Sequence, residues 1–436
     1  MSAADRASRP EPGSQPARSP GSITRRGFVA AIVAGGVAAF LAACGATRPA
    51  PSARLPSLTA PSTGSAASPV PSASSSNLPS TSPSPLPAKS SAPLSLRERI
   101  AGLLVVGFRG ERLADAPWLA KALAQQGLGG VILFDRDQLT GRARNVASPD
   151  QVRRLVSDIR DAADRRPIIV SIDQEGGLVT RLSPSHGYPA VASEAAIGRR
   201  DLAAARTWAH ELVATLGDAG FNLNFAPVVD LDVNPRSPAI GAIDRSFSAD
   251  PSVVVARAKV EVDAHRDAGV RTTLKHFPGI GSSGTNTDFG VADVTDTWSR
   301  IELEPFRQLI DAGLADVVMA GHIVNRRLDR HRPASLSRSV VTDLLRGELG
   351  WQGVVVTDDL QAAAITSEFG RDEAVVLALN AGNDLLLFAN QQVWDPEVVG
   401  RVVDVVERAV ASGRVQSERI DEAYDRVRAL FRATGS

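Results

Sequence analysis

An α/β fold, a closed (β/α)₈ barrel of the TIM type forming a single domain, is predicted by three observations. Eight short apolar or β-branched runs recur from residue 95 onward, helical patterns lie between them, and polar residues stand just past the runs' ends. The runs are Leu103–Val106, Val131–Phe134, Ile168–Ile172, Phe221–Phe225, Arg271–Leu274, Asp316–Met319, Gly353–Val356 and Asp384–Leu387. Between them, Gln151–Ala163, Asp201–Leu216, Pro251–Asp267 and Asp372–Leu379 carry the spacing of helices. Four connections share one device: Asp218-Ala219-Gly220, Asp267-Ala268-Gly269, Asp311-Ala312-Gly313 and Asn380-Ala381-Gly382 each put a glycine just before a run. Glycine closes a helix in the left-handed conformation, so these read as repeated helix-to-strand turns. Strand alternating with helix implies a parallel sheet, and eight units fit a closed barrel with room for one irregular unit. An open doubly wound sheet satisfies the same alternation. The barrel is favoured because Asp173, Asp230, Lys275, His276, His322 and Asp358 all fall just beyond the C-terminal ends of their strands, which in a barrel share one rim.

The barrel is expected over residues 95–436 of the 436, because what precedes it has a different character. Arg25-Arg26-Gly27-Phe28 leads into an apolar run from Val29 to Ala43, closed by Leu41-Ala42-Ala43-Cys44. A run of about 15 residues is too short to cross a bilayer core of roughly 30 Å and has signal-peptide flanks. The paired arginines resemble a twin-arginine export signal and Leu-Ala-Ala-Cys resembles a bacterial lipobox, so residues 1–44 are expected to export the chain and Cys44 to carry a lipid. Residues 45–94 are dominated by Ser, Pro, Ala and Thr, a composition that cannot offset its ordering entropy and is expected to stay a disordered tether. Roughly fifty such residues reach about 40 Å. Cys44 is the only cysteine, so no disulfide can form within the chain.

Lys plus Arg equals Asp plus Glu at 48 each, and no basic run interleaved with aromatics appears, so nucleic acid is not an expected partner. There is no Gly-x-Ser-x-Gly elbow, no His-Glu-x-x-His, no phosphate-cradling loop and no paired cysteine spacing. The six histidines do not cluster, and His186, His210, His265 and His331 read as surface or helix-face residues.

The densest chemistry is Lys275-His276-Phe277-Pro278-Gly279-Ile280-Gly281 and the loop that follows, with Asn286-Thr287-Asp288. A cation, an imidazole and a carboxylate at the exit of one strand suit a polar ligand, though a surface loop with incidental charges has the same composition. Val356-Thr357-Asp358-Asp359-Leu360 ends the seventh run: one carboxylate can serve as a nucleophile, the other can cap the helix that begins there. Asp173-Gln174-Glu175-Gly176-Gly177, with Arg181 beyond, can grip vicinal hydroxyls while its glycines let backbone approach a ligand. Asn234-Pro235 and Arg245-Ser246-Phe247 lie on a long loop of the kind that lines pockets. Carboxylates among hydroxyl-gripping groups suggest a sugar site, and two carboxylates flanking a glycosidic bond are the usual equipment for hydrolysing it.

At these residues the chain resembles a family 3 glycoside hydrolase of the single-barrel β-N-acetylglucosaminidase type. The resemblance runs through Gly130–Phe134, Asp173–Gly177, Asn222–Pro227, Arg245–Phe247, Lys275–Gly279, Met319–His322 and Thr357–Leu360. It implies a retaining mechanism with Asp358 as nucleophile, and Asp173, Arg181, Arg245, Lys275 and His276 holding the non-reducing-end sugar, without metal or cofactor. The chain departs from the family pattern twice. Ile280 replaces the second His of Lys-His-Phe-Pro-Gly-His-Gly, and Asn286-Thr287-Asp288 stands where this subgroup carries Asp-Ser-His with a general acid/base His. Asp288 is then the candidate proton carrier. An Asp has a reference pKa of about 3.9, so burial or the nearby Asp358 must raise it before it can protonate a leaving group. A more acidic optimum than that of a His-dependent relative follows, and transfer to water rather than to phosphate, which an Asp repels.

The expectation is an exported, lipid-anchored enzyme trimming terminal N-acetylglucosamine from peptidoglycan fragments at the outer face of the membrane. A β-glucosidase-like exo-glycosidase and a sugar-binding lipoprotein without catalysis are the competing readings.

Overall fold

In a computed structural model of the chain, residues 94–164 and 166–432 are described. The export signal, Cys44 and the tether lie outside the described residues. The eight runs become eight parallel strands: β1 (Leu104–Gly107), β2 (Gly130–Leu133), β3 (Ile169–Ile172), β4 (Leu223–Asn224), β5 (Arg271–Phe277), β6 (Val317–Ala320), β7 (Val354–Thr357) and β8 (Leu386–Phe388). They pair in sequence order, β1 against both β2 and β8, so the sheet curls toward closure. The last seam, β7 to β8, has one bridge, Val356 to Leu385. It is carried by Leu385 N–H donating to Val355 O at 3.0 Å and Thr357 N–H to Leu385 O at 3.0 Å. A closed barrel leaves no open edge and settles the choice against the doubly wound sheet.

The turn chemistry behaves as its residues require. Gly220, Gly269, Gly313 and Gly382 all take positive φ (84°, 72°, 68° and 113°) at the ends of their helices, where a Cβ would be strained. The helices Pro149–Ala162, Leu202–Ala219, Pro251–Asp267 and Arg371–Ala381 match the predicted patterns to within a few residues.

Two expectations are corrected. Strand four is two residues long rather than five, because side chains take over ladder bonds around it: Asn222 Oδ1 accepts the Val170 N–H and Asn224 Oδ1 the Gln174 N–H, at 2.8 and 3.0 Å. Lys275 and His276 do not end β5; the strand runs through them to Phe277, with a register shift after Leu274. Both side chains therefore stand on the barrel itself rather than on its loop.

Candidate active site

Lys275 is 2% exposed, and its ammonium reaches Asp173 Oδ1 at 2.9 Å and Glu175 Oε1 at 2.6 Å. Glu175 also receives both prongs of the Arg245 guanidinium, Nε and Nη2, each at 2.7 Å. Burial alone would push the Glu175 carboxyl up; the two cations outweigh it and hold it well below the usual range. Burial likewise opposes the charge on Lys275, and Asp173 and Glu175 overcome it. His276 Nδ1 lies 2.7 Å from Asp230 Oδ2, whose carboxylate also accepts the N–H groups of His276 and Ile280. Its Nε2 lies 3.4 Å from Arg245. Arg181 stands over the Phe134 ring, 3.9 Å from Asp173 and 3.8 Å from Asp135, without a close hydrogen bond to either. The five residues expected to hold a sugar thus stand on the segment after β3, on β5 and on the loop after β4.

Asp358 follows β7 and is half-buried. Its N–H donates to Ala320 O, and its Oδ1 accepts the Asp359 N–H at 2.8 Å. Burial pushes its carboxyl up, but His322, His276, the Asp359 N–H and Lys275 together hold it below its ordinary value. Asp288 reaches the same place from the loop after β5. Its N–H donates to the Asn286 side chain at 2.9 Å, a tight turn that presents the carboxyl. The loop is docked onto the segment after β7: Ala363 N–H donates to Asp288 O and Ala364 N–H to Thr287 O, each at 3.2 Å. Burial and then the neighbouring Asp358 push the Asp288 carboxyl up to about 6, with Arg245 opposing. Among the described residues no hydrogen-bond donor meets that carboxyl.

Other side chains take supporting parts. His322 bridges Ser335 Oγ (2.7 Å) and Asp359 O (2.8 Å), bracing the rim as its position after β6 suggested. Asp359 does not cap a helix. It accepts N–H groups from Gln361 and Ala389 at 3.1 Å each, tying the loops after β7 and β8 together. Burial pushes its carboxyl up to about 7. Gly176 and Gly177 also serve a purpose other than the expected one: a Cβ at Gly176 would stand 2.2 Å from Ala192 O, so they admit the 191–193 backbone, not a ligand. His265 is a helix-face residue but not a surface one. It is fully buried against Asn224 and the Glu261 carbonyl, and burial pulls its imidazole down to about 4. Glu175 and Asp230 were visible in the sequence at strand ends, yet nothing local marked them as the groups that orient Lys275, Arg245 and His276.

Two carboxyls shifted in opposite directions, beside a cluster able to meet hydroxyls, are equipment suited to glycoside hydrolysis. The model of the family "Glycosyl hydrolase family 3 N terminal domain" matches residues 95–430, and the chain belongs to that family. It is a glycoside hydrolase of the β-N-acetylhexosaminidase type. Among its relatives are a beta-hexosaminidase of Xylella fastidiosa, 37% identical over 70% of this chain and 87% of that protein, and one of Tolumonas auensis, 36% identical over 61% and 76%. A family 3 β-N-acetylglucosaminidase from Paenibacillus superposes with a TM-score of 0.71 at 36% identity, over 79% of this chain and 64% of that one. The β-N-acetylhexosaminidase of Beutenbergia cavernae gives 0.70 at 31%, covering 79% and all of that chain. Some relatives are longer: the chain spans 47% of beta-hexosaminidase A from Pseudoalteromonas piscicida.

Proposed function

We propose that the protein is a retaining exo-β-N-acetylglucosaminidase that removes terminal β-linked N-acetylglucosamine from peptidoglycan fragments. Asp358 attacks the anomeric carbon while Asp288 gives its proton to the departing oxygen; the carbon–oxygen bond breaks as the glycosyl–Asp358 ester forms. Asp288, now ionised, takes a proton from water, which attacks the same carbon and frees Asp358. Asp173, Arg181, Arg245, Lys275 and His276 hold the sugar's hydroxyls. The observation that supports this reading is the split between two neighbouring carboxyls on the rim, Asp288 raised to about 6 and Asp358 lowered, with the Asp288 loop docked onto the segment after β7. The acceptor is water: an ionised Asp288 repels phosphate, so phosphate buffer brings no acceleration and no sugar 1-phosphate.

The placement outside the membrane rests on the Arg25-Arg26 signal and the lipobox-like run ending at Cys44, and cell-wall fragments are the β-linked N-acetylglucosamine found there. The test is hydrolysis of a β-N-acetylglucosaminyl disaccharide, whose leaving oxygen needs a proton, between about pH 4 and about pH 8, beside Asp288→Asn. Turnover that declines with rising pH and is lost in the variant supports the reading. Binding without turnover at any pH overturns it in favour of a sugar-binding protein.

A further inference from the structure

Asp288 is carried on a loop whose two ends are held very differently. At the tip, Ala363 and Ala364 supply the two 3.2 Å backbone bonds that dock Asp288 and Thr287. Between root and tip the loop bonds mainly to itself: Ser283 Oγ donates to Thr285 O at 2.6 Å, and the Asp288 N–H to Asn286 Oδ1 at 2.9 Å. Among the described residues, nothing stands within 4 Å of where a Cβ at Gly284 would lie. The tip therefore takes its position largely from the root, residues 279–283.

The root is packed and bonded from two sides. On one, Asp230 accepts the Ile280 N–H at 2.8 Å, Asn234 Nδ2 donates to Ser283 O at 3.1 Å, and a Cβ at Gly281 would overlap Leu231 O. On the other stands Glu302, in the short helical turn Arg300–Leu303 ahead of the helix Glu304–Asp311. Its Oε2 accepts the Ser282 N–H at 3.3 Å. Its side chain also walls the turn at Gly279, where φ is 106° and an added Cβ would lie 2.7 Å from Glu302 Cβ. Glu302 Oε1 is buried and has no hydrogen-bond partner among the described residues. Burial, with Ser282 opposing and Asp230 adding, pushes the carboxyl up to about 7. A buried carboxyl so incompletely satisfied works against stability. The bond it does make goes to the acid loop, whereas Asp230 also holds His276 of the sugar cluster.

We propose that Glu302 is a positioning residue for Asp288: it seats the root of the loop and so sets where the acid's carboxyl meets the departing oxygen. Proton donation depends steeply on geometry, so a displacement of about an ångström at the tip is enough to weaken it. The attack assigned to Asp358 and the grip on the sugar rest on other elements of the rim.

This inference rests on the reading of Asp288 as proton donor, and the experiment separates the two. With the full-length protein, kcat and KM are measured on a neutral β-N-acetylglucosaminyl disaccharide, whose leaving oxygen needs a proton, and on 4-nitrophenyl β-N-acetylglucosaminide, whose leaving group needs little. Glu302→Ala is expected to lower kcat on the disaccharide about tenfold, with at most about a twofold change on the aryl glycoside and in either KM. Glu302→Asp withdraws the carboxyl by one carbon and gives the same split at about threefold, which serves if the alanine variant does not fold. Glu302→Gln keeps the acceptor and stays within about twofold of the unaltered protein. Placed on Asp288→Asn, Glu302→Ala causes no further loss on the disaccharide. Equal losses on both substrates, a further loss in the double variant, or undiminished disaccharide turnover in Glu302→Ala overturns the inference, while a disaccharide-selective loss in Asp288→Asn leaves the proton-donor reading standing. Full disaccharide turnover in Asp288→Asn overturns both.

Discussion

At the lower end of the barrel, where β8 begins, Asp384 is fully buried and all its bonds are made inside the protein. Arg346 and the Val355 N–H meet Oδ2 at 2.7 and 3.0 Å, and Arg419 and Arg426 meet Oδ1 at 2.8 and 3.1 Å. Asp316, before β6, is similarly enclosed by Thr272, Arg266 and Arg271. At the upper end Asp173 takes one bond from Lys275, its other oxygen sees Arg181 only at 3.9 Å, and its side chain is 18% exposed. Asp288 has no donor at all among the described residues. The same residue types thus build a clamp at one end and an unfinished site at the other. A carboxylate satisfied by the fold closes the β7–β8 seam, whereas one left short of partners is available to a substrate.

The comparison is tested most severely at Asp358. Asp358→Asn is expected to cost upwards of about 10⁴-fold in kcat, with thermal stability unchanged or slightly raised, as measured by steady-state rates and calorimetry. Asp384→Ala should invert that pattern. Three half-buried guanidinium groups lose their shared partner, and stability falls by about 2–4 kcal/mol in urea unfolding, while the folded fraction keeps its kcat. A large loss of kcat per folded molecule would mean that the clamp also shapes the site.

Asp288→Asn should lower kcat about 10²- to 10⁴-fold on a natural disaccharide and far less on an aryl glycoside whose leaving group needs little protonation. As the proposed proton donor Asp288 would act while protonated, and burial and Asp358 push its carboxyl up to about 6. On the disaccharide kcat/KM should therefore fall about tenfold per unit above about pH 6. As the proposed nucleophile Asp358 would have to be ionised, and it is held below its ordinary value, so activity is expected to persist on the acid side. A profile flat through neutrality would remove Asp288 from the role.

The smallest effect concerns two carboxyls beneath the sugar cluster. Glu194 and Glu261 are fully buried, and Glu261 has no hydrogen-bond partner for either oxygen among the described residues. Both are pushed well above the usual range by burial first, then by Glu261 in the case of Glu194 and by Glu175 in the case of Glu261. The folded state holds these protons longer than the unfolded chain, so stability drains away as pH rises above the ordinary Glu value. Glu261→Gln removes that drain. The melting temperature should rise by a few degrees at about pH 8 and change little near pH 5.

Local chemistry made much of this legible. Helix-closing glycines and short β-branched runs are local signals, and they located the strands to within a few residues. Asp173, Arg181, Arg245, Lys275, His276, Asp288 and Asp358 were identifiable as chemistry-bearing residues from their types and their places at strand ends. The sequence could not show that Gly176 and Gly177 accommodate another backbone segment, that His265 is buried, or that Asp359 ties two loops. Each depends on a segment distant in the chain.

What the sequence by itself determined is therefore the order of elements, the rim and the inventory of groups on it, since these follow from side-chain type and spacing. Only the tertiary structure decided that the two carboxyls shift in opposite directions. Asp288 and Asp358 are the same residue with the same reference pKa, and their difference arises from what surrounds each after folding. One is desolvated on a docked loop beside a like charge; the other is desolvated among imidazoles, an N–H and an ammonium.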